Sequence, residues 1–194
     1  MPESPHPRPS RRARPAAVGL AALVVVVLLG AVLLALRASP PGRSAPGRGT
    51  VVRVVDGDTV VVRVGDRDEP VRLIGIDTPE SVARDRPNEC FGAEASHRLA
   101  ELLPPGTEVD LTRDVEPRDV YDRLLAYVQR SSDGLFVNAA QVGEGYAIAR
   151  DFPPNTTHRD DFERAERAAR AASLGLWAAC GGADVPLADS GAAP

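Results

Sequence analysis

The sequence predicts an α+β fold with five strands and three helices, preceded by one N-terminal transmembrane helix. Short runs of valine and isoleucine are bounded by glycine, aspartate and proline, longer segments carry apolar residues at helical spacing, and one long uncharged run lies near the N-terminus. β-Branched runs between turn residues are typical of strands, and apolar residues repeated every three or four positions are typical of amphipathic helices. The 194 residues are enough for one domain of ordinary size and an N-terminal appendage.

Three strands are predicted between residues 51 and 80, where acidic turn residues interrupt the valine-rich runs. They form a meander of Val51–Val55, Thr59–Val64 and Val71–Ile76. Two further strands and three helices follow: the strands are Glu108–Arg113 and Leu124–Gln129, and the helices are Phe91–Leu103, Phe136–Val142 and Asp160–Ala172. We expect the apolar segment Leu174–Trp177 to pack against this domain.

The ends of the predicted strands carry a candidate metal site. Asp58 and Asp77 lie at strand ends, where side chains are held firmly and face solvent or a ligand. Pro79 favours an extended conformation of Thr78, which orients the Thr78 carbonyl. Carboxylates and an oriented carbonyl are the oxygen ligands that Ca²⁺ takes. These residues therefore predict a Ca²⁺ site.

Arg72 has the same strand parity as Ile74 and Ile76, so it is the polar residue on an otherwise apolar face. Plainer interpretations of these motifs exist. Asp56–Asp58 is typical of an ordinary turn, Arg72 of a strand end, and Asp77–Glu80 of the start of a turn or helix. The combination of two acids, an inward-facing arginine and a further acid three residues later favours a functional site.

Several segments resemble those of the staphylococcal nuclease family. The signature segments are DGDTV at Asp56–Val60, VRLIGIDTPE at Val71–Glu80 and YDRLLAYV at Tyr121–Val128, and the similarity also includes Phe91–Ser96 and Pro154–His158. It extends from about Thr50 to Trp177. The resemblance implies a five-stranded OB-fold-type β-barrel with three helices, and Ca²⁺-dependent hydrolysis of phosphodiester bonds in DNA or RNA.

The resemblance also implies a role for each of eight residues. The Ca²⁺ ligands would be Asp58, Asp77 and Thr78. The scissile phosphate would be bound by Arg72 and Arg123, and water would be activated by Glu80. The substrate would also contact Tyr121 and Arg150. Glu80 matches the acid that acts as general base or orients the attacking water. Arginine suits phosphate binding because its planar fork makes bidentate contacts and keeps its charge.

Four positions depart from the family pattern. Asp122 replaces an expected glycine, and a carboxylate at this position can pair with Arg123 and weaken phosphate binding. Val120 replaces a frequent lysine, and Arg150 and Phe152 occupy positions where tyrosines lie near the nucleotide. The reaction class therefore follows from the sequence more directly than the affinity for substrate or the preference for chain ends.

The N-terminal region predicts export and membrane attachment. Pro7–Arg14 contains four arginines, and Ala16–Leu36 has 21 residues without a charge. As a helix, this run would span roughly 30 Å, the thickness of the hydrocarbon core. The basic flank places residues 1–15 in the cytoplasm and the domain outside. We favour an uncleaved signal anchor over a cleaved signal that releases a secreted protein, because a secretory apolar region is usually shorter.

The remaining boundaries follow from composition. Residues 37–49 are rich in Pro, Gly and Ser and predict a linker, residues 50–180 form the nuclease domain, and residues 181–194 are expected to be disordered. Residues 38–194 contain 18 Arg, no Lys and 26 acidic residues, a net charge near −8. This charge argues against tight non-specific binding of nucleic acid but not against a local cationic site. We expect a monomer.

Cys90 and Cys180 are the two cysteines of the chain. An even number of cysteines in an exported domain favours a disulfide, and two thiols without a nearby pair of histidines make a poor zinc site. We therefore predict a Cys90–Cys180 bridge. In the chain-entropy model, closing this loop stabilises the fold by about 4–5 kcal/mol. We expect the bridge to lie away from the catalytic residues.

Two other functions fit parts of the sequence. Asp56–Val60 also matches the D-x-D-x-[TV] pattern of aspartate-nucleophile phosphatases, but that class has helices between its strands and normally a downstream lysine, which this chain lacks. The second is a catalytically silent OB-type module that binds nucleic acid or protein. Such modules characteristically lose the acids or arginines that are present here.

Overall fold

The computed structural model describes residues 47–81 and 88–187. Within these residues the strands are β1 (Gly47–Val54), β2 (Thr59–Val64), β3 (Arg67–Leu73), β4 (Ile76–Asp77), β5 (Glu108–Thr112), β6 (Leu124–Arg130) and β7 (Ile148–Ala149). The helices are α1 (Gly92–Leu102), α2 (Val137–Gly143), α3 (Arg159–Ala171) and the short α4 (Leu176–Ala179). The three predicted helices are confirmed, and α4 lies where the apolar segment Leu174–Trp177 was predicted to pack.

Five strands close into a barrel in the order β1-β2-β3-β6-β5. Strands β3 and β6 pair in parallel, and the other neighbours in the barrel are antiparallel. Valine and leucine side chains fill the core, among them Val60, Val62, Val71 and Leu73, which are fully buried. β-Branched side chains at alternating positions suit this interior. The predicted α+β fold with a five-stranded barrel is confirmed.

The prediction of one strand from Val71 to Ile76 was wrong. Strand β3 ends at Leu73, and the chain turns at Gly75, where φ is +79°. Glycine adopts this left-handed conformation without a steric penalty, and a Cβ at this position would lie 2.4 Å from the Phe162 ring. Strand β4 then leaves the barrel and pairs with β7. The strand-parity argument for Arg72 therefore fails, although Arg72 is buried.

The structure changes two predicted boundaries. Strand β1 begins at Gly47, inside the predicted linker, because residues 47–50 pair with β5 and close the barrel. Residues 181–187 were predicted to be disordered, but the Val185 carbonyl accepts a hydrogen bond from Cys90 N–H at 2.8 Å. The Leu187 N–H donates to the Asn88 carbonyl at 2.8 Å. The predicted disulfide explains this pairing, since Cys90 and Cys180 are bonded with a Cα–Cα distance of 6.0 Å.

The predicted membrane anchor lies outside the described residues. Most of the predicted linker also lies outside the described residues, as do residues 82–87 and residues 188–194. Between residues 47 and 187, excluding that loop, no helix has the length and apolar character needed to cross a membrane.

Candidate active site

Seven of the eight predicted site residues line one cavity of about 630 Å³. They are Asp58, Arg72, Asp77, Glu80, Tyr121, Arg123 and Arg150. The eighth, Thr78, does not line the cavity, and its hydroxyl donates a hydrogen bond to Asp58 Oδ2. Seven carboxylates and three arginines line the cavity in total. This excess of negative charge favours binding of a cation.

Asp58 is held by hydrogen bonds to both of its carboxylate oxygens. Its Oδ2 accepts from the backbone N–H of Thr78 at 3.2 Å and from the Thr78 hydroxyl at 3.0 Å, and its Oδ1 accepts from the Thr59 hydroxyl at 3.0 Å. Gly57 allows this close approach, because a Cβ there would lie 2.7 Å from Thr78 Oγ1. The Asp-Gly-Asp motif is therefore more than a turn: its glycine brings the two chain segments together.

Arg72 bridges the two aspartates that were predicted to bind metal. Its Nη2 lies 3.0 Å from Asp58 Oδ2 and 2.9 Å from Asp77 Oδ1. Its Nη1 donates to the backbone carbonyls of Leu73 at 2.5 Å and Ile76 at 3.1 Å. The turn after β3 thus holds the guanidinium at the carboxylates. Removing Arg72 or one of the aspartates would leave a buried charge unpaired, which would lower the stability of the fold.

Asp77 joins Arg72 to a second arginine. Asp77 Oδ2 lies 2.9 Å from Arg150 Nη1, and Arg150 Nη2 lies 3.7 Å from Asp184 Oδ2. Burial raises the pKa of Asp77, and the charges of the two arginines oppose that rise. Arg150 therefore contacts a predicted metal ligand in this structure, in addition to lining the cavity where a substrate would bind.

The oxygen atoms at this end of the cavity fit a hard cation. Burial and the neighbouring charge of Asp58 raise the pKa of Asp56 to about 6, which shows that carboxylates are crowded here. Asp58 and Asp77 lie within 3.0 Å of one Arg72 nitrogen, so both can reach one ion. Within residues 47–81 and 88–187, no group of three or more His, Cys, Asp and Glu side chains forms a metal site by itself. Backbone carbonyl or water ligands would complete the coordination shell.

Glu80 lies at the cavity wall and is held through its backbone. Its N–H donates to Glu89 Oε2 at 3.0 Å, and its carbonyl accepts from the Glu89 N–H at 2.8 Å. Helix α1 packs tightly on the same segment, since a Cβ at Gly92 would lie 2.7 Å from the Glu80 carbonyl oxygen. The backbone of Glu80 is therefore fixed from two sides.

Asp119 holds Arg123, and Asp122, which the sequence showed could pair with Arg123, does not do so. Arg123 Nε donates to Asp119 Oδ2 at 2.6 Å, and the Arg123 guanidinium lies 5.5 Å from the centre of the Tyr121 ring. Asp122 has a φ of 64°, and its exposed side chain lies 3.5 Å from Arg118 Nη1. A left-handed backbone explains why glycine suits this position, and aspartate tolerates it better than most residues.

Sequence reasoning missed several residues that build the site. Asp56, Asp119 and Glu89 contact the residues named above, and Phe152 lies 5.6 Å from the Arg72 guanidinium. In helix α2, the buried Gln141 side chain donates to the Gly57 carbonyl at 2.7 Å. Asp56 was visible in the Asp-Gly-Asp motif. Phe152 was visible as a departure from the family pattern. Asp119, Glu89 and Gln141 gave no signal in the sequence, because their roles depend on how the loop of Asp119 folds and on contacts of Glu89 and Gln141 with distant residues.

A closed five-stranded mixed barrel with acids and arginines around one cavity defines a protein of the staphylococcal nuclease type. A sequence model of the family described as "Staphylococcal nuclease homologue" matches residues 70–179, more than half of the chain. The chain belongs to this family.

Curated relatives support the same conclusion. The chain is 40% identical over 127 residues to "Thermonuclease" of Staphylococcus intermedius, covering 66% of this chain and 74% of that protein. It is 34% identical over 127 residues to "Thermonuclease" of Staphylococcus hyicus, covering 66% and 73%. It is 37% identical over 137 residues to "Endonuclease YncB" of Bacillus subtilis, covering 68% and 62%.

Proposed function

We propose that this protein is a Ca²⁺-dependent endonuclease that hydrolyses phosphodiester bonds of DNA, RNA or both. The observation that carries the proposal is the Arg72 bridge between Asp58 and Asp77, in the same cavity as Glu80 and Arg123. The names of the related thermonucleases and of the Bacillus endonuclease support the same reaction class.

Asp58, Asp77 and the Thr78 carbonyl would hold Ca²⁺. Both aspartates contact the same nitrogen of Arg72, so their carboxylates lie close together. The hydrogen bonds from Thr78 and Thr59 keep the Asp58 carboxylate in this orientation. When bound, Ca²⁺ supplies Lewis-acid stabilisation of the charge that develops on the phosphate. Oxygen donors of this kind select a hard cation over a soft one.

Arg72 and Arg123 would bind the scissile phosphate. Arg72 would exchange a contact of Nη2 with Asp58 or Asp77 for one with the phosphate, because both of its Nη atoms are occupied in this structure. A phosphodiester is an anion that repels hydroxide, so hydrolysis requires positive charge that stays in place. Arg123 uses Nε to bind Asp119, and within residues 47–81 and 88–187 its Nη1 and Nη2 make no hydrogen bond to protein. These two nitrogens are the fork that binds phosphate oxygens in pairs.

Glu80 would act as the general base or orient the attacking water. It lines the cavity with both arginines, and its backbone is fixed by Glu89. A carboxylate at this place accepts a proton from water while the arginines stabilise the phosphate. A positioned base typically contributes about 10²–10⁴-fold to a rate. Tyr121 and Arg150, at the rim of the same cavity, would contact the nucleotide.

We further propose that the enzyme acts outside the cytoplasm as a monomer, tethered to the membrane by residues 16–36 or released after cleavage. The run of 21 uncharged residues after an arginine-rich segment supports this location. The disulfide also supports it, because disulfides persist in oxidising compartments.

A nuclease assay with chelator tests the function. The full-length protein should cleave DNA or RNA with added Ca²⁺ and lose activity in excess chelator. Asp58→Ala and Glu80→Ala should each lower kcat by about 10²-fold or more. Asp68→Ala is the matched control, because Asp68 is an exposed acid that pairs with Arg63. Full activity in chelator would contradict the metal requirement, and tight nucleic-acid binding without cleavage would instead identify a catalytically silent binding module.

A further inference from the structure

The C-terminal segment that follows the disulfide lies against the segment that holds Glu80. We define residues 181–187 as the strap. The strap pairs with residues 88–90 through two backbone hydrogen bonds, both 2.8 Å, and through an antiparallel bridge between Glu89 and Pro186. The Cys90–Cys180 bond anchors the strap at the residue next to Glu89.

We propose that Glu89 is a positioning residue for Glu80, and that the disulfide-anchored strap holds Glu89 in place. This proposal rests on the proposed function of Glu80. One residue meets both backbone groups of Glu80: the Glu89 carboxylate accepts from its N–H, and the Glu89 N–H donates to its carbonyl. Such a reciprocal pair fixes both the position and the direction of the Glu80 backbone.

Contacts on both sides of Glu89 in turn hold it. The strap bonds to the residues on either side of it, Asn88 and Cys90, and the disulfide links Cys90 covalently to Cys180. On the other side, the Gly92 N–H donates to the Glu89 carbonyl at 3.2 Å and begins helix α1. Glu89 therefore lies between helix α1 and the strap, which is anchored covalently, and its position depends on both.

A second contact between the strap and the site is weaker. Asp184 Oδ2 lies 3.7 Å from Arg150 Nη2, and both side chains are substantially exposed, 65% and 45%. An exposed ion pair contributes about 0–1 kcal/mol, and salt screens it. The strap does not touch Glu80 itself and acts on it through Glu89, whose bonds to the Glu80 backbone are partly buried and therefore stronger than this ion pair.

Kinetics of full-length variants test the proposal. Glu89→Ala should lower kcat by roughly tenfold with little change in KM, because a small misplacement of a catalytic group costs rate more than binding. Glu89→Gln should retain most of kcat, since its amide oxygen still accepts from the Glu80 N–H. The control is Glu94→Ala, an exposed acid on helix α1 away from the cavity, which should match the wild type.

A double-mutant cycle separates positioning from general damage. In a Glu80→Ala background, Glu89→Ala should cause no further loss, because the group it positions is absent. Hydrogen exchange gives a readout without turnover: the Glu80 amide should exchange roughly tenfold faster in Glu89→Ala and in Cys90→Ser/Cys180→Ser. The cysteine variant should also lose several-fold in kcat when assayed well below its melting temperature.

Three results would overturn the positioning role of Glu89, and one would overturn the proposed function. Wild-type kcat in Glu89→Ala, an equal loss in the Glu80→Ala background, or unchanged exchange of the Glu80 amide would overturn the positioning role while leaving the nuclease intact. Absence of Ca²⁺-dependent cleavage by the wild-type protein would overturn the proposed function itself, and with it the catalytic meaning of the strap.

Discussion

Asp119 holds Arg123 with two hydrogen bonds: its Oδ2 accepts from Nε at 2.6 Å, and its Oδ1 accepts from the backbone N–H at 2.9 Å. Burial by itself would raise the pKa of Asp119, but the bonds from Arg123 stabilise the carboxylate and keep that pKa below its ordinary value. Asp119 therefore remains charged near neutral pH and fixes one edge of the guanidinium. Among residues 47–81 and 88–187, Nη1 and Nη2 on the other edge have no hydrogen-bond partner, and we propose that they bind phosphate.

This arrangement predicts that a lysine cannot replace Arg123. Arg123→Lys and Arg72→Lys should each lower kcat/KM by about 10²-fold or more, because an ammonium group lacks the planar fork. Arg63→Lys is the control: Arg63 makes a bidentate pair with Asp68 on the exposed surface, so its replacement should change the rate by less than about twofold. Activity of Arg123→Lys close to that of Arg63→Lys would show that Arg123 does not bind phosphate.

Asp114 predicts a pH dependence of stability that is separate from catalysis. It is buried and accepts hydrogen bonds from the Tyr127 hydroxyl at 2.8 Å, the Thr157 N–H at 3.0 Å and the Thr157 hydroxyl at 2.9 Å. Burial alone would raise its pKa, but these bonds lower the pKa below the ordinary value of 3.8. The contribution of Asp114 to the stability of the fold is therefore fully present above pH 3.8. It is lost as the pH falls through the lower pKa that Asp114 has in the folded state.

Asp114→Asn should lower the free energy of unfolding at pH 7 by about 2 kcal/mol, since hydrogen bonds to a charged acceptor are lost. Urea denaturation measures this difference, which should shrink as the pH is lowered below 3.8. Asp66→Asn, at an exposed turn position, is the control and should be close to neutral. An equal difference at all pH values would contradict the ionised role of Asp114.

The disulfide should dominate the thermal stability of the domain. Reduction opens a loop with a sequence separation of 90 residues, which the chain-entropy model equates with about 4–5 kcal/mol. We expect reductant to lower Tm by roughly 10 °C or more, measured by calorimetry on the full-length protein. Reductant should leave Tm of Cys90→Ser/Cys180→Ser unchanged. An equal shift in that variant would show that reductant acts elsewhere.

The N-terminal segment predicts the location of the domain. Protease added to intact cells should remove the nuclease domain and leave the arginine-rich N-terminus protected, because the basic flank stays in the cytoplasm. A cytoplasmic protein measured in the same cells is the control for lysis. If the nuclease domain is found in the medium and its N-terminus lies beyond Leu36, the segment is a cleaved signal and not an anchor. Domain found only in the cytoplasm would contradict export.

Local patterns in the sequence determined most of the secondary structure. The resemblance to the nuclease family indicated the residues of the site, and the even number of cysteines in an exported domain indicated the disulfide. Strand β2, the three longer helices and the Cys90–Cys180 pair agree closely with the predictions. Periodic burial and turn chemistry are set by neighbouring residues, so they can be predicted without knowledge of distant contacts.

The tertiary structure alone decided which charges pair and what holds them. The turn at Gly75, which packs against Phe162, and the contact of Glu89 with Glu80 each depend on how separate segments pack. The conformation of its own loop decides that Arg123 pairs with Asp119 and not with Asp122. A carboxylate pairs with the arginine that the backbone brings within hydrogen-bond distance, and sequence proximity does not determine that distance. The strap shows this most clearly, because the Cys90–Cys180 disulfide and two backbone hydrogen bonds place residues 185–187 beside residues 88–90, which are distant in the sequence.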